Sequence, residues 1–203
     1  PPAKYERVGS RATSDPLGGE RAWTIKLRRR GAEGKAFRRG GDGRPVPRGG
    51  HKFDVAHRAY LDSQERASYL DPEGIFRAFE LRKGTRIADV GTGTGFFALP
   101  AGRIVGPEGR VYAVDLSPEM LEDLQSKLGR EPRSNVEAIR STEDRIPLSD
   151  ASVDFAFLAC VLHELDGPGT LLECRRILVP TGRLGVVDWK KEEMEFGPPK
   201  AHR

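Results

Sequence analysis

The sequence predicts an α/β domain in three layers, a doubly wound and mostly parallel sheet with helices on both faces. Three observations predict it. Short apolar runs alternate with amphipathic stretches from residue 71 to residue 189. Pro- and Gly-rich turns separate most of them at short intervals. A glycine-rich turn, Gly91-Thr92-Gly93-Thr94-Gly95, follows directly on the first of those runs.

Each element has its own local reason. Asp71-Pro72-Glu73 supplies a helix N-cap, a proline at the first helical position and an acid in the first turn. Ile75, Phe76 and Phe79 recur at helical spacing, and Arg82-Lys83-Gly84 ends that helix. Arg86–Val90 reads as a buried strand, followed by the glycine loop and a helix through about Val105. Gly106-Pro107-Glu108-Gly109 turns the chain into a second strand, Arg110–Val114. Ser117-Pro118-Glu119 caps a helix that lines Met120, Leu121, Leu124 and Leu128 on one face. Asn135–Ile139 and Val153–Ala159 are the third and fourth strands. A helix near Leu171–Leu178 stops at Pro180-Thr181-Gly182, and Arg183–Trp189 is the fifth strand. Repeated β-α-β units with right-handed crossovers give a parallel sheet, whose ligand crevice lies at the carboxyl ends of the strands.

Charge divides the chain in two. The whole carries 34 Lys/Arg against 30 Asp/Glu, yet residues 1–50 hold 13 of the bases and only 5 of the acids. The remaining 153 residues are therefore mildly acidic, so the pI near 9.2 describes the leader and not the predicted domain. Residues 1–50, rich in Gly and Arg, read as a disordered leader in which only Ala22–Leu27 could form a short strand. Any nucleic-acid partner would have to be held by that leader. Residues 51–203 form the folded core. The longest apolar run, Phe155–Leu162, falls far short of the roughly 20 residues that span a bilayer. Cys160 and Cys174 have neither metal-ligand spacing nor a disulfide framework, which points to a reducing, cytoplasmic setting, and no metal site is expected.

The glycine loop narrows the chemistry. A dinucleotide fingerprint has its third glycine one position later, where the helix N-terminus receives a pyrophosphate. Here Gly95 comes early and Phe96 follows. Asp89, two residues before Gly91, would repel a pyrophosphate but suits an ammonium group. Twenty residues beyond Gly95, Asp115 ends the second strand, where a carboxylate accepts hydrogen bonds from both ribose hydroxyls. The inferred ligand is an adenosine with an amino-acid end and no phosphates.

With these residues in view, the chain resembles the class I S-adenosylmethionine-dependent methyltransferases over about residues 51–189. Ile87–Phe97 looks like their first motif, Val111–Met120 their second-strand motif, and Asp154–Leu165 their fourth-strand motif, with Ala159 at the strand end. Leu178–Leu184 resembles their proline-glycine-glycine turn, with Thr181 in place of one glycine. The segments His51–Asp54 and Asp188–Glu193 look like a prokaryotic branch near the ubiquinone/menaquinone C-methyltransferases. The resemblance implies a Rossmann-like fold and S-adenosyl-L-methionine as cofactor. It implies that the backbone of Gly91, Thr92, Gly93, Thr94 and Gly95, with Phe96, cradles the methionine part and that Asp89 organises the ammonium end. Asp115 would bind the ribose, and Leu116 would pack on the adenine. The family's adenine-binding aspartate falls at Thr142, so Glu143 or Asp144 could supply that acceptor by a one-residue shift. Ala159 completes the implied cofactor positions.

Other side chains read more blandly. His163 follows the fourth strand and could act as a base, though packing or hydrogen bonding at the strand end explains it better. Asp188 and Lys190 read as solvated charges as readily as substrate contacts. Trp189, Phe53 and Tyr60 could wall an acceptor pocket, and no catalytic residue is assigned. Relatives continue past the fifth strand with two further strands, whereas this chain starts at Pro1 and stops fourteen residues after Trp189. The expected sheet therefore lacks the last two of seven strands and exposes an edge that a second copy could cover, or else the sequence is incomplete. The function expected is methyl transfer to a small-molecule acceptor by in-line displacement. Its alternatives are transfer to RNA or protein through the basic arm, or cofactor binding without turnover. A nicotinamide-dependent oxidoreductase is disfavoured by the glycine spacing.

Overall fold

The computed structural model describes residues 6–8, 22–27, 53–130 and 135–189. Its centre is a parallel sheet of β3 (Arg86–Val90), β4 (Arg110–Asp115), β5 (Val136–Arg140), β6 (Val153–Ala159) and β7 (Leu178–Trp189). Two strands from the N-terminal quarter, β1 (Glu6–Val8) and β2 (Ala22–Leu27), extend it, and the spatial order is β1-β2-β7-β6-β3-β4-β5. The chain winds outward from β3 through β4 to β5, then returns to the other side of β3 for β6 and β7. That reversal puts the switch point between β3 and β6, where a ligand crevice opens at the strand carboxyl ends.

The two winding directions put the helices on opposite faces, as right-handed crossovers require. Helices α2 (Pro72–Ala78), α3 (Ala98–Val105) and α4 (Pro118–Arg130) pack on one face. Helix α5 (Gly169–Ile177) covers the other through Cys174 and Ile177. Alternation along β6 serves both: Phe155, Phe157 and Ala159 join the first cluster, Ala156 and Leu158 the second. Phe157 is the hub of the first face, with ring centroids 4.9 Å from Phe76, 5.2 Å from Phe97 and 5.8 Å from Phe79. These aromatic contacts seat α2 and α3 on the sheet and so fix the direction in which the loop before α3 leaves β3.

Several expectations need adjustment. The fifth strand begins at Leu178, not Arg183, because β7 advances five residues while β6 advances two between the pairs Val153–Leu178 and Phe155–Arg183. The Pro180-Thr181-Gly182 turn occupies that irregularity, and a Cβ on Gly182 would sit 2.9 Å from the Val179 carbonyl oxygen. A 3-10 helix over Val55–Asp62 and helix α1 (Gln64–Tyr69), neither of which has an apolar period to signal it, precede α2. Their polar caps explain them: Asp54 accepts the Ala56 N–H, and Ser63 accepts the Arg66 N–H at 3.1 Å.

The leader and the open edge are corrected together. Ala22–Leu27 pairs in parallel with β7 from Ala22–Leu184 to Leu27–Trp189, and Glu6–Val8 pairs antiparallel with β2. The outer edge of β7 is thus satisfied within the chain, which removes the edge invoked for a second copy. Ala22–Leu27 is the one stretch of the leader in which the sequence allows a strand, and it forms one; Glu6–Val8 is the strand that composition did not signal. No strand follows β7 among the described residues, and the two strands beyond it come from the N-terminal side. The rest of the leader, with the basic runs at residues 28–30 and 38–44, lies outside the described residues, as do Lys190 and everything after it.

Candidate functional site

The glycine loop leaves β3 at the switch point and is tied down at each turn. The Gly91 and Thr92 N–H groups both donate to the Val114 carbonyl, at 2.8 and 3.0 Å. The Gly93 N–H donates to Asp115 Oδ2 at 2.7 Å. These three bonds hold the loop against the end of β4. Gly91 and Gly95 have φ of +74° and +87°, and a Cβ on either would meet Val161 or Leu124 at 2.4 or 2.5 Å. Only glycine fits a backbone that turns this way and packs this closely.

Two carboxyl groups flank the loop, Asp89 buried and Asp115 half-buried. Asp89 is 2% exposed and accepts the Thr92 hydroxyl at 2.7 Å. Burial pushes its pKa up to about 7, and the Thr92 bond only partly opposes this. Asp115, at the end of β4, accepts the Gly93 N–H on Oδ2 and the Ser117 N–H on Oδ1 at 2.9 Å. Burial raises its pKa too, while these backbone donors pull it down. A carboxylate has about four lone-pair sites, so one on each oxygen stays available to a vicinal diol.

The other expected positions fall around this pair. Leu116, expected to pack on the adenine, is 50% exposed just beyond Asp115. Ser141 N–H donates to the Asp115 carbonyl at 2.9 Å and brings the turn after β5 alongside. In that turn Thr142 bridges to Arg145, and the Glu143 carbonyl accepts the Thr170 hydroxyl of α5 at 2.9 Å. Thr142, Glu143 and Asp144 are all exposed. Ala159 ends β6, buried beside the loop, and Cys160 follows at φ +59°.

Three residues with no motif of their own complete the site. Asp62, at the end of the 3-10 helix, accepts the Thr94 hydroxyl at 3.0 Å and the Lys127 ammonium at 2.6 Å. Lys127 also donates to the Thr94 carbonyl at 2.7 Å. Thr94 is thereby clamped from two sides. Arg66 of α1 lies with its guanidinium 4.5 Å from the Phe96 ring centroid. The clamp contacts leave no periodic or spacing signal, because the partners are 32 to 65 positions apart.

At the ends of β6 and β7, Asp188 is buried and not a solvated charge. It accepts the His163 backbone N–H at 3.1 Å and the Trp189 N–H at 2.7 Å, and meets His163 Nδ1 at 2.8 Å. His163 is thus held at the strand end, with Nε2 3.7 Å from Glu164 Oε1. Trp189 packs on Tyr69 at 5.8 Å between centroids, and the Tyr69 and Tyr60 hydroxyls lie 3.3 Å apart. Burial pushes the Cys160 thiol up to about 12, which disfavours its thiolate. Among the described residues no group of His, Cys, Asp and Glu could hold a metal ion.

Residues 88–186 match the family described as a methyltransferase domain. The solved structure of a SAM-dependent methyltransferase from Aquifex aeolicus superposes with a TM-score of 0.72 at 40% identity, covering 75% of this chain and 81% of that one. The chain belongs to the S-adenosylmethionine-dependent methyltransferases. Two curated members of this family are also similar. A demethylmenaquinone methyltransferase from Geobacillus kaustophilus is 32% identical over 111 residues, 54% of this chain and 47% of that protein. An arsenite methyltransferase from Halobacterium salinarum is 30% identical over 106 residues, 52% of this chain and 27% of its own. The chain thus spans about half or less of the length of these curated methyltransferases.

The methyltransferase cofactor, S-adenosylmethionine, fits the donor set. The site offers a buried and a half-buried carboxyl acceptor at two neighbouring strand ends, of the kind an ammonium group and a ribose diol need. The early Gly95 and the carboxyl of Asp89 suit no pyrophosphate. Asp89 gives a pH signature. In the free protein its protonated form is the stable one, and ionisation costs fold stability as pH rises toward about 7. A ligand ammonium favours the ionised form and lowers that pKa. Affinity for S-adenosylhomocysteine is therefore expected to rise with pH up to about 7, by at most about tenfold per unit, and then level. Calorimetric titrations between about pH 5.5 and 8.5 check this, and a flat profile would remove Asp89 from the ammonium end.

Proposed function

We propose that the chain binds S-adenosylmethionine at the ends of β3 and β4 and moves its methyl group to a small-molecule acceptor. The observation that carries this reading is the pair of carboxyl groups, Asp89 buried and Asp115 half-buried, with the glycine loop latched between them. The Gly91–Gly95 backbone and Asp89 hold the amino-acid end, Asp115 the ribose and Leu116 the adenine, with the Thr142–Glu143 turn at its edge. Phe96 and Ala159 bound the pocket on the loop and β6 sides.

The bound cofactor supplies a sulfonium-activated methyl group, so the protein's part is positioning and exclusion of water. The Asp62–Thr94–Lys127 clamp serves this by fixing the loop that aims the methyl group. The acceptor is expected over the ends of β6 and β7, between His163 and the Tyr60, Tyr69 and Trp189 rings. Relatives named for demethylmenaquinone and arsenite support a small acceptor over a polymer. Cys160 and Cys174 are free thiols, in keeping with a reducing cytoplasm.

Calorimetry tests the reading directly. Micromolar binding of S-adenosylhomocysteine with no binding of NAD supports it, and the reverse result overturns it. Radiolabelled methyl transfer to a cell extract, separated into small-molecule and polymer fractions, then shows which class takes the label. Label confined to RNA or protein would reject the small-molecule acceptor.

A further inference from the structure

The acceptor side rests on the last two residues of β7. Asp188 accepts the His163 backbone N–H at 3.1 Å and meets its Nδ1 at 2.8 Å, and Trp189 packs on Tyr69 at 5.8 Å between ring centroids. Neither Asp188 nor Trp189 belongs to the ladder with β6. That ladder ends at the Ala159–Val187 pair, beside which the Cys160 N–H donates to the Val187 carbonyl at 2.7 Å. At Cys160 a φ of +59° takes the chain out of the strand, so β7 runs two residues beyond its inner neighbour.

Those two residues are paired on the other side. β2 lies parallel to β7, and its last two pairs are Lys26–Asp188 and Leu27–Trp189. β2 is backed in turn by β1, through Glu6–Lys26, Arg7–Ile25 and Val8–Thr24. A strand end without a ladder neighbour frays readily, because water replaces the partners of its backbone groups. Paired to β2, the end of β7 stays extended and the Asp188 carboxylate keeps a fixed place beside His163. The cofactor side has no such dependence. β7 and β6 separate β2 from β3, and the Gly91 and Thr92 N–H groups are held by the Val114 carbonyl of β4.

We propose that the leader strand Ala22–Leu27 is a positioning element for methyl transfer. It braces Asp188 and Trp189, and through them His163 and Tyr69, where the acceptor is expected. This rests on placing the acceptor over the ends of β6 and β7, and it gives part of the basic N-terminal quarter a task other than holding a polymer.

The experiment compares the full wild-type chain with Thr24→Pro and Ile25→Pro. Successive N–H groups along a strand point to opposite neighbours, so one of these two prolines removes a donor that faces β7. In that variant, hydrogen exchange at the His163 amide is expected to rise about tenfold or more. Exchange at the Gly91 and Thr92 amides, and affinity for S-adenosylhomocysteine, are expected to stay within about threefold of wild type. Transfer of labelled methyl from S-adenosylmethionine into a cell extract is expected to fall about tenfold or more. Unchanged exchange at His163 in both variants overturns the brace. So does equal acceleration at His163, Gly91 and Thr92, which marks a general loss of stability, or a loss of S-adenosylhomocysteine affinity that matches the loss of transfer. If a thermal melt shows both proline variants unfolded, Leu27→Pro, which touches only the final pair, is read by the same criteria. Wild type that does not bind S-adenosylhomocysteine overturns the cofactor reading itself, whereas exchange at the His163 amide still decides the brace.

Discussion

Asp115→Ala is expected to weaken S-adenosylhomocysteine binding by more than about 100-fold and to destabilise the free protein as well. Two losses combine. The ribose loses an ionised acceptor, and hydrogen bonds to a charged group contribute about 1.5–3 kcal/mol each. The Gly93 and Ser117 N–H groups lose the oxygens they donate to at 2.7 and 2.9 Å, which frees the glycine loop and the entry to α4. Leaving those donors unpaired adds about 1–3 kcal/mol of instability. Asp115→Asn separates the two effects. Its amide retains one accepting oxygen, so the fold should survive better than in the alanine variant, while diol binding remains impaired. Calorimetry and urea melts on both variants check this. Wild-type affinity in Asp115→Ala would refute the ribose role outright.

Gly91→Ala should cost about 2–4 kcal/mol of stability and abolish measurable cofactor binding. The residue sits at φ +74°, and its new Cβ would lie 2.4 Å from Val161 Cγ2. Left-handed backbone strain and overpacking each contribute about 1–3 kcal/mol for a side chain that cannot move away. Relief requires shifting the Val161 segment or the loop, and the loop is bound to Val114 through Gly91 itself. Gly129→Ala is the control. That glycine is exposed near the end of α4, and nothing lies within 4 Å of an added Cβ. Its substitution should leave stability unchanged or raise it by up to about 1 kcal/mol. Comparable losses in both variants would show that the tight loop geometry is not what holds Gly91.

Both variants alter residues that the sequence already marks. Asp115 and the glycines are legible because their chemistry is local: a strand ends, the chain turns, and a carboxylate stands a fixed distance downstream. The Asp89 carboxyl belongs to the same short stretch. Arg66, Asp62 and Lys127 carry no such mark. In the sequence Arg66 is one arginine in a polar segment, Gln64–Tyr69, without a helical apolar stripe. Asp188 reads as a solvated charge for the same reason, since its burial follows from packing against a segment 25 positions away.

Periodicity and turn chemistry by themselves determined the alternation of strands and helices from Asp71 to Trp189 and the kind of ligand the glycine loop accepts. These follow from a repeat of about 2 or 3.6 residues, or from a glycine where no Cβ fits, and so can be read over a short stretch of chain. The tertiary structure alone decided that Ala22–Leu27 closes the edge of β7, that Asp62 and Lys127 clamp Thr94, that Asp188 holds His163, and that Arg66 stands over Phe96. Each of these joins groups far apart in sequence. Their pairing depends on which faces the folded sheet brings together, and local composition carries no record of that.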